Sequence, residues 1–456
     1  MRRALAVLVL GLAGCAYYNG LYNARRLDDE AHKAEGEGRT GEARSLWSRA
    51  AVKAESVAVR YPTSRWRDDA WLLWGQSLRR IDACSRAVGP LRLAGDSTTD
   101  SRIADAARIT EAECRLFMRE PDSAVAALGP VVAANGPRRG EALALRARAH
   151  LAAGRPAAAL EDARASRLLE AAFSEATALA RLGLGVPAGA LLDQLADGPF
   201  VESAWTEVLA ALARVDPDGA SRITRRLAGR ADLDAGTRAR LFVADGERWL
   251  VAGRPAEAEP LFASAVAMAR DSLDGRVAEA HLLMMGLGVG DDPGELETVL
   301  ASVRRVTAPG GRPVQIAGRA LNLLPEVIEA HQQGDEPARL FIAAETVRDS
   351  LGAPGLAAML FLEVARGADD QVLAPKAILA ALSLRDADAD SLTAILHTRY
   401  AGSVYVLALQ GEAGERYRVV EDSLREVFAA VRQRTNTEER PAREGEPRRN
   451  TRGSNE

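Results

Sequence analysis

At 456 residues the chain is as long as roughly three average domains, or as one extended array. Its 47% apolar and 27% charged fractions disfavour collagen-like, wholly disordered and multi-span membrane classes, and a net charge of -4 gives no reason to expect nucleic acid. Three cysteines, five histidines and 5% aromatics over the whole length speak against metal clusters and disulfide scaffolds.

The chain opens with Arg2 and Arg3, followed by an apolar stretch from Ala4 to Ala13 that is too short to span a bilayer, which takes about 20 residues. This pattern is read as an export signal, residues 1-14. Leu12-Ala13-Gly14-Cys15 resembles the bacterial lipobox, which implies acylation of Cys15 (diacylglycerol and palmitate) and cleavage before it. Removing Arg2 and Arg3 takes the side-chain charge from -4 to -6. Several acyl chains hold a protein on its membrane where a single chain does not. With Ala16 rather than Asp after the cysteine, the resemblance implies an outer-membrane lipoprotein facing the periplasm. Residues 15-26 are read as its tether.

From about residue 27 to 432 the chain alternates Ala-, Leu- and Arg-rich helical lengths with Gly, Pro and Asp breaks, which predicts an all-α fold. A turn of the form Gly-x-Pro-x-x-small recurs at Arg119-Glu120-Pro121, Gly154-Arg155-Pro156, Gly185-Val186-Pro187, Val215-Asp216-Pro217 and Gly253-Arg254-Pro255. A weaker copy is Asp291-Asp292-Pro293, and a good one returns at Gly352-Ala353-Pro354. The first six prolines are spaced 35, 31, 30, 38 and 38 residues apart, a period near 34. Such a period predicts a right-handed α-solenoid of antiparallel helix pairs. Glycine would close one helix in a left-handed C-cap, and proline would open the next where its missing N-H is no loss.

Phe242, Gly246, Trp249, Gly253, Ala258, Phe262 and Ala265 fall in the large and small positions of a tetratricopeptide repeat, and the chain resembles that family. An earlier copy has Trp71, Trp74, Gly75 and Leu78 with Ala87, Leu91 and Ala94; a later one has Phe341, Gly352, Ala357, Phe361 and Val364. Gly154 and Ala159 mark the copy between them. The resemblance implies that small residues sit where paired helices approach closely. It divides the array into repeats at 27-130, 131-293 and 341-432, with an irregular segment at 294-340 and a loop from Thr307 to Pro313.

Tyr61-Pro62-Thr63-Ser64-Arg65-Trp66, and a second copy at Arg399-Tyr400-Ala401-Gly402-Ser403-Val404-Tyr405, resemble the inter-repeat joint of BamD-type lipoproteins that assemble outer-membrane barrels. Cys15 to Ala24 resembles the start of long repeat lipoproteins of secretion and gliding systems. Residues 433-456 carry no large apolar side chain and are read as a disordered tail.

Catalytic chemistry has no visible carrier. His32, His150, His281, His331 and His397 each stand alone, so no metal site is assigned, and His150 reads as a packing residue. Gly286-Leu287-Gly288-Val289-Gly290 lacks dinucleotide-binding spacing and reads as a loop. Cys84 and Cys114 could pair in an oxidising compartment. Helices spaced 8-10 Å apart favour two free thiols, with offset positions leaving a disulfide open. Four of six tryptophans and four of seven tyrosines fall in the first 74 residues, among them Tyr17, Tyr18 and Tyr22 beside the lipid, which could rest at the membrane interface or cap the first helix. The expectation is a non-enzymatic scaffold without cofactor or small-molecule substrate, membrane-bound through its lipid and binding envelope proteins or extended peptides. Outer-membrane assembly or secretion is the first process to consider. A scaffold for peptidoglycan or division enzymes is the alternative, and a hydrolase with its site at 294-340 a third reading.

Overall fold

The computed structural model describes residues 20-333, 336-368, 370-384 and 389-438, without the side chains of 435-438. The export signal, Cys15, Tyr17, Tyr18 and residues 439-456 lie outside the described residues. Among those described there is no strand, and none of the helices is long and apolar enough to cross a membrane.

The chain divides into two compact units, Met1–Arg226 and Leu227–Glu456. The first opens with α1 (residues 20-36), α2 (Thr40–Arg60), α3 (Arg67–Arg80) and α4 (Cys84–Ser97). It continues with α5 (Ser101–Phe117), α6 (Pro121–Ala133), α7 (Arg139–Ala152), α8 (Pro156–Ser166), α9 (Leu169–Arg181), α10 (Gly185–Leu195), α11 (Glu202–Leu212) and α12 (Pro217–Ala228). From α2 to α9 each helix packs closely on the next, and α3, α5, α7, α9 and α11 also pack side by side. The fold is an all-α array of antiparallel helix pairs, with the first helix of each pair forming one continuous layer.

The second unit contains α13 (Ala235–Val251), α14 (Pro255–Ala269), α15 (Leu273–Val289), α16 (Leu296–Thr307) and α17 (Arg312–Gln333). Next come α18 (Pro337–Thr346), which runs on as a π-helical turn over Val347–Leu351, and α19 (Pro354–Gly367). The unit ends with α20 (Leu373–Leu382), α21 (Ala389–Arg399), α22 (Val404–Leu409) and α23 (Gly414–Glu438). Phe428 of α23 stacks on Phe341 of α18 at 5.3 Å and joins the same buried apolar cluster.

The recurrent turn works as its chemistry predicts at Gly154, Gly253 and Gly352, which hold φ of +71°, +72° and +65°, each two residues before the proline that opens the following helix. One copy is out of register. The left-handed residue before α10 is Gly183 at φ +81°, Gly185 starts the helix, and Pro187 lies inside its first turn. Two further copies lack the proline. Gly38-Arg39-Thr40 opens α2, and Asp82-Ala83-Cys84 opens α4 with Asp82 itself at φ +62°.

At the N-terminus the segment expected as a tether is helical from residue 20, because Leu21 and Ala24 are buried against Ala54, Val57 and Ala58 of α2. The stretch expected to be irregular holds the regular helices α16 and α17, joined through Gly310 and Gly311 at φ +78° and +76°. Pro293 to Pro354 spans more than one repeat because Pro337 opens an additional helix within it. The last helix continues to Glu438, past Arg432.

Candidate interaction groove

Close approach within pairs is set by residue size. A Cβ built on Gly246 of α13 would lie 2.7 Å from Cε1 of Phe262 on α14, and one on Gly75 of α3 would run into Leu91 of α4. Phe262 is fully buried and stacks on His281 of α15 at 4.5 Å, linking one pair to the next. Ala87, Ala159, Ala258 and Ala357 are each 0% exposed, and Phe361 packs on Phe341 at 5.0 Å. Trp249 is 4% exposed with Arg254 over its ring, whereas Trp71 is half-buried beneath Arg67. Gly154, Gly253 and Gly352 are exposed and act through the backbone alone.

Cys84 and Cys114 form a disulfide, which corrects the preference for free thiols. Cys84 is the first residue of α4 and Cys114 lies near the end of α5. These offset positions on antiparallel helices bring the Cα atoms to 4.9 Å, inside the span a disulfide bridges.

Four of the five histidines, His32, His150, His281 and His331, lie beside a carboxylate. His150 is half-buried, 3.6 Å from Asp162 and accepting from Arg155, while Arg146 holds both oxygens of Asp162 at 2.6 and 2.7 Å. Burial lowers the imidazole's affinity for a proton, and Arg155 and Arg146 add to that effect against Asp162. His281 contacts Glu247 at 3.1 Å and His331 contacts Glu363 at 2.8 Å. Among the described residues there is no group of three or more His, Cys, Asp or Glu able to hold a metal.

A groove of about 780 Å³ runs across the first-helix layer of the first unit, lined by α5, α7, α9, the end of α10 with its following loop, and α11. On α7 its residues are Glu141, Ala144, Leu145, Arg148, Leu151 and Ala152; on α9 they include Glu170, Phe173, Ser174 and Thr177. Steps of three and four residues place each set on one helical face. The floor is apolar: Ile109, Leu145, Phe173, Leu195 and Val201 line it, with Leu169 60% exposed at the edge. Phe173 is fixed by an edge-on contact with the fully buried Trp205 at 5.1 Å.

The charged rim is largely neutralised from within. Glu141 takes two bonds from Arg138 at 2.6 and 2.8 Å, Glu207 pairs with Arg181 at 3.3 Å, and Glu113 lies 3.6 Å from Arg79. Glu170 and Arg148, both exposed, have no ion-pair partner among the described residues. Sequence reading did not find this groove, because each helix contributes only a few residues. The shared three-and-four spacing on α7 and α9 was the available signal.

No family model matches the sequence, and no curated protein matches it. Solved structures do. A tetratricopeptide repeat protein from Parabacteroides merdae matches 57% of this chain and 98% of its own at 14% identity, with a TM-score of 0.38. The anaphase-promoting-complex hetero-tetramer Cut9-Hcn1 matches 86% of this chain and 92% of its own at 14% identity and 0.26. Naa15/Naa10 bound to HypK-THB matches 90% and 80% at 14% identity and 0.24.

Proposed function

We propose that this chain is a protein-interaction scaffold that receives an extended or helical segment of another protein in the groove of its first unit. The observation that carries this reading is the groove across four neighbouring first helices, with the apolar side chains of Leu169 and Val201 60% and 50% exposed at its edge. Exposed apolar surface in a concave site is a common mark of a binding face. The lipobox-like Leu12-Ala13-Gly14-Cys15 supports a lipid anchor at Cys15, and with Ala16 after it, placement on the periplasmic side of the outer membrane. Outer-membrane protein assembly or secretion is the process proposed.

A photo-crosslinking residue at Leu169 or Val201, with Val186, 80% exposed and outside the groove, as control, tests the groove in the native envelope. Crosslinks to barrel-assembly or secretion components from 169 and 201 alone are the expected result. Recovery of peptidoglycan or division enzymes would transfer the scaffold to cell-wall synthesis, and crosslinking no stronger than at 186 would remove the groove as the binding face. Mass spectrometry of the mature N-terminus tests the anchor: an unacylated Cys15 would refute it.

A further inference from the structure

Helix α2 buries Ala43, Leu46, Trp47, Ala50, Ala51, Ala54, Val57 and Ala58 on one side. Its opposite side, at steps of three and four, carries Arg49, Val52, Lys53, Ser56, Val59 and Arg60. Val52 and Val59 are 58% and 66% exposed, and the three cations are exposed with no carboxylate partner among the described residues. That differs from the rest of the helix: Arg44 is tied to Asp82 at 2.7 Å, Glu42 is held by Arg39, and Glu55 sits half-buried at the margin of the face. Arg65, exposed in the loop that follows, stacks on Trp66 at 4.7 Å and also has no acidic partner among the described residues.

The location of this face gives it a meaning. Gly20 abuts α2 near its C-terminal end, where an added Cβ would lie 2.9 Å from a methyl of Val57. Gly20 follows Cys15 by five positions, a reach of at most about 18 Å. Arg49 to Arg60 covers about 17 Å of helix. The cationic face therefore lies within reach of whatever surface holds Cys15.

We propose that the outer face of α2 is a membrane-docking surface that lays Arg49, Lys53 and Arg60 on anionic lipid headgroups, with Val52 and Val59 entering the interface. The proposal rests on the reading of Cys15 as the anchor. Each cation close to an anionic surface favours docking by about fivefold, so the three together shift the ratio of docked to undocked molecules by roughly 100-fold. The effect is screened by salt.

The mature full chain, purified from its producing cells and reconstituted into phosphatidylcholine vesicles with and without 40 mol % phosphatidylglycerol, separates the two claims. Flotation with pure phosphatidylcholine reports the anchor alone. An environment-sensitive fluorophore on Val59→Cys, with nitroxide-labelled headgroups as quencher, reports docking. Strong quenching is expected in the anionic vesicles. It should fall to the phosphatidylcholine level in Arg49→Gln/Lys53→Gln/Arg60→Gln, whose surface substitutions leave the buried side of α2 intact. Quenching that is equal in both vesicles, or unchanged in the triple variant, would overturn the proposal while leaving the anchor standing. A chain that floats with neither vesicle would overturn the anchor reading and this proposal with it. Loss of quenching when an acidic protein is added at constant ionic strength would assign the face to a protein partner instead.

Discussion

Replacing Gly246 by alanine tests whether helix size-matching governs the pairs. In an open helix interior the change should stabilise by about 1 kcal/mol, because alanine gives up less backbone entropy. At Gly246 the new methyl would meet the Phe262 ring at 2.7 Å, and the ring has little room to retreat, being fully buried and stacked on His281. Overpacking of this kind costs about 1-3 kcal/mol, so the net effect should be a loss of about 0-2 kcal/mol. Gly286 of α15 supplies the control, since an added Cβ there meets nothing within 4 Å. Gly286→Ala should therefore be stabilising, and the two identical substitutions should differ by about 1-3 kcal/mol. Urea unfolding, with hydrogen exchange in α13 and α14 to localise the change, gives the comparison. Phe262→Leu in the Gly246→Ala background should recover part of the loss, with a coupling of at least about 0.5 kcal/mol in the double-mutant cycle. Equal stabilisation by the two alanines, or strict additivity with Phe262→Leu, would refute the size-matching argument.

Other outcomes follow from the same geometry. Reducing the Cys84–Cys114 bond, which closes a separation of 30 residues, should cost about 3-4 kcal/mol by loop entropy, read as a reductant-dependent fall in melting temperature that a Cys84→Ala/Cys114→Ala variant does not show. Non-reducing peptide mapping should recover the linked pair. Glu279, mostly buried between Arg305 at 2.6 Å and Arg270 at 2.9 Å, has its carboxyl held below the usual range chiefly by the Arg305 hydrogen bond. Its folded affinity for a proton is below the unfolded one, so its contribution is complete above about pH 4.3 and lost as pH falls further. Glu279→Gln should flatten that part of the acid-stability profile. His150 acts in the same direction at higher pH: burial disfavours its charged form, so acidification below about pH 6.5 should weaken the first unit, and His150→Phe should remove that dependence.

How much of this was legible depends on whether a residue works locally or across repeats. Gly154, Gly253 and Gly352 with their following prolines could be read directly, because the left-handed cap and the helix start are properties of three consecutive residues. The turns at Gly38-Arg39-Thr40 and Asp82-Ala83-Cys84 were missed, since the same backbone is built there without proline and, at Asp82, without glycine. At the third turn the abundance of small residues hid the register: Gly183 and Gly185 both suit a break, and only the packing of α10 decides which one turns. The disulfide was misjudged because repeat-to-repeat spacing applies to equivalent positions, whereas Cys84 and Cys114 occupy offset ones.

The groove lies beyond local reading for a related reason. Alanines and glycines fix how closely the helices stack, and stacking in turn sets Glu141 and Arg148 of α7 beside Glu170 and Phe173 of α9. None of these residues is required by its own helix, and a change at any of them would leave the period intact. The array and the proposed binding face are thus specified by different positions: buried small residues set the geometry, and the three-and-four stripes on α7 and α9 would set the partner. It follows that Leu169 and Glu170 can be exchanged with little effect on stability and a large one on binding, while Gly246 and Phe262 have the reverse dependence. Measuring both quantities on both pairs separates the two roles, and a stability loss at Leu169→Ser comparable to that at Phe262→Ala, about 3-5 kcal/mol, would contradict the division.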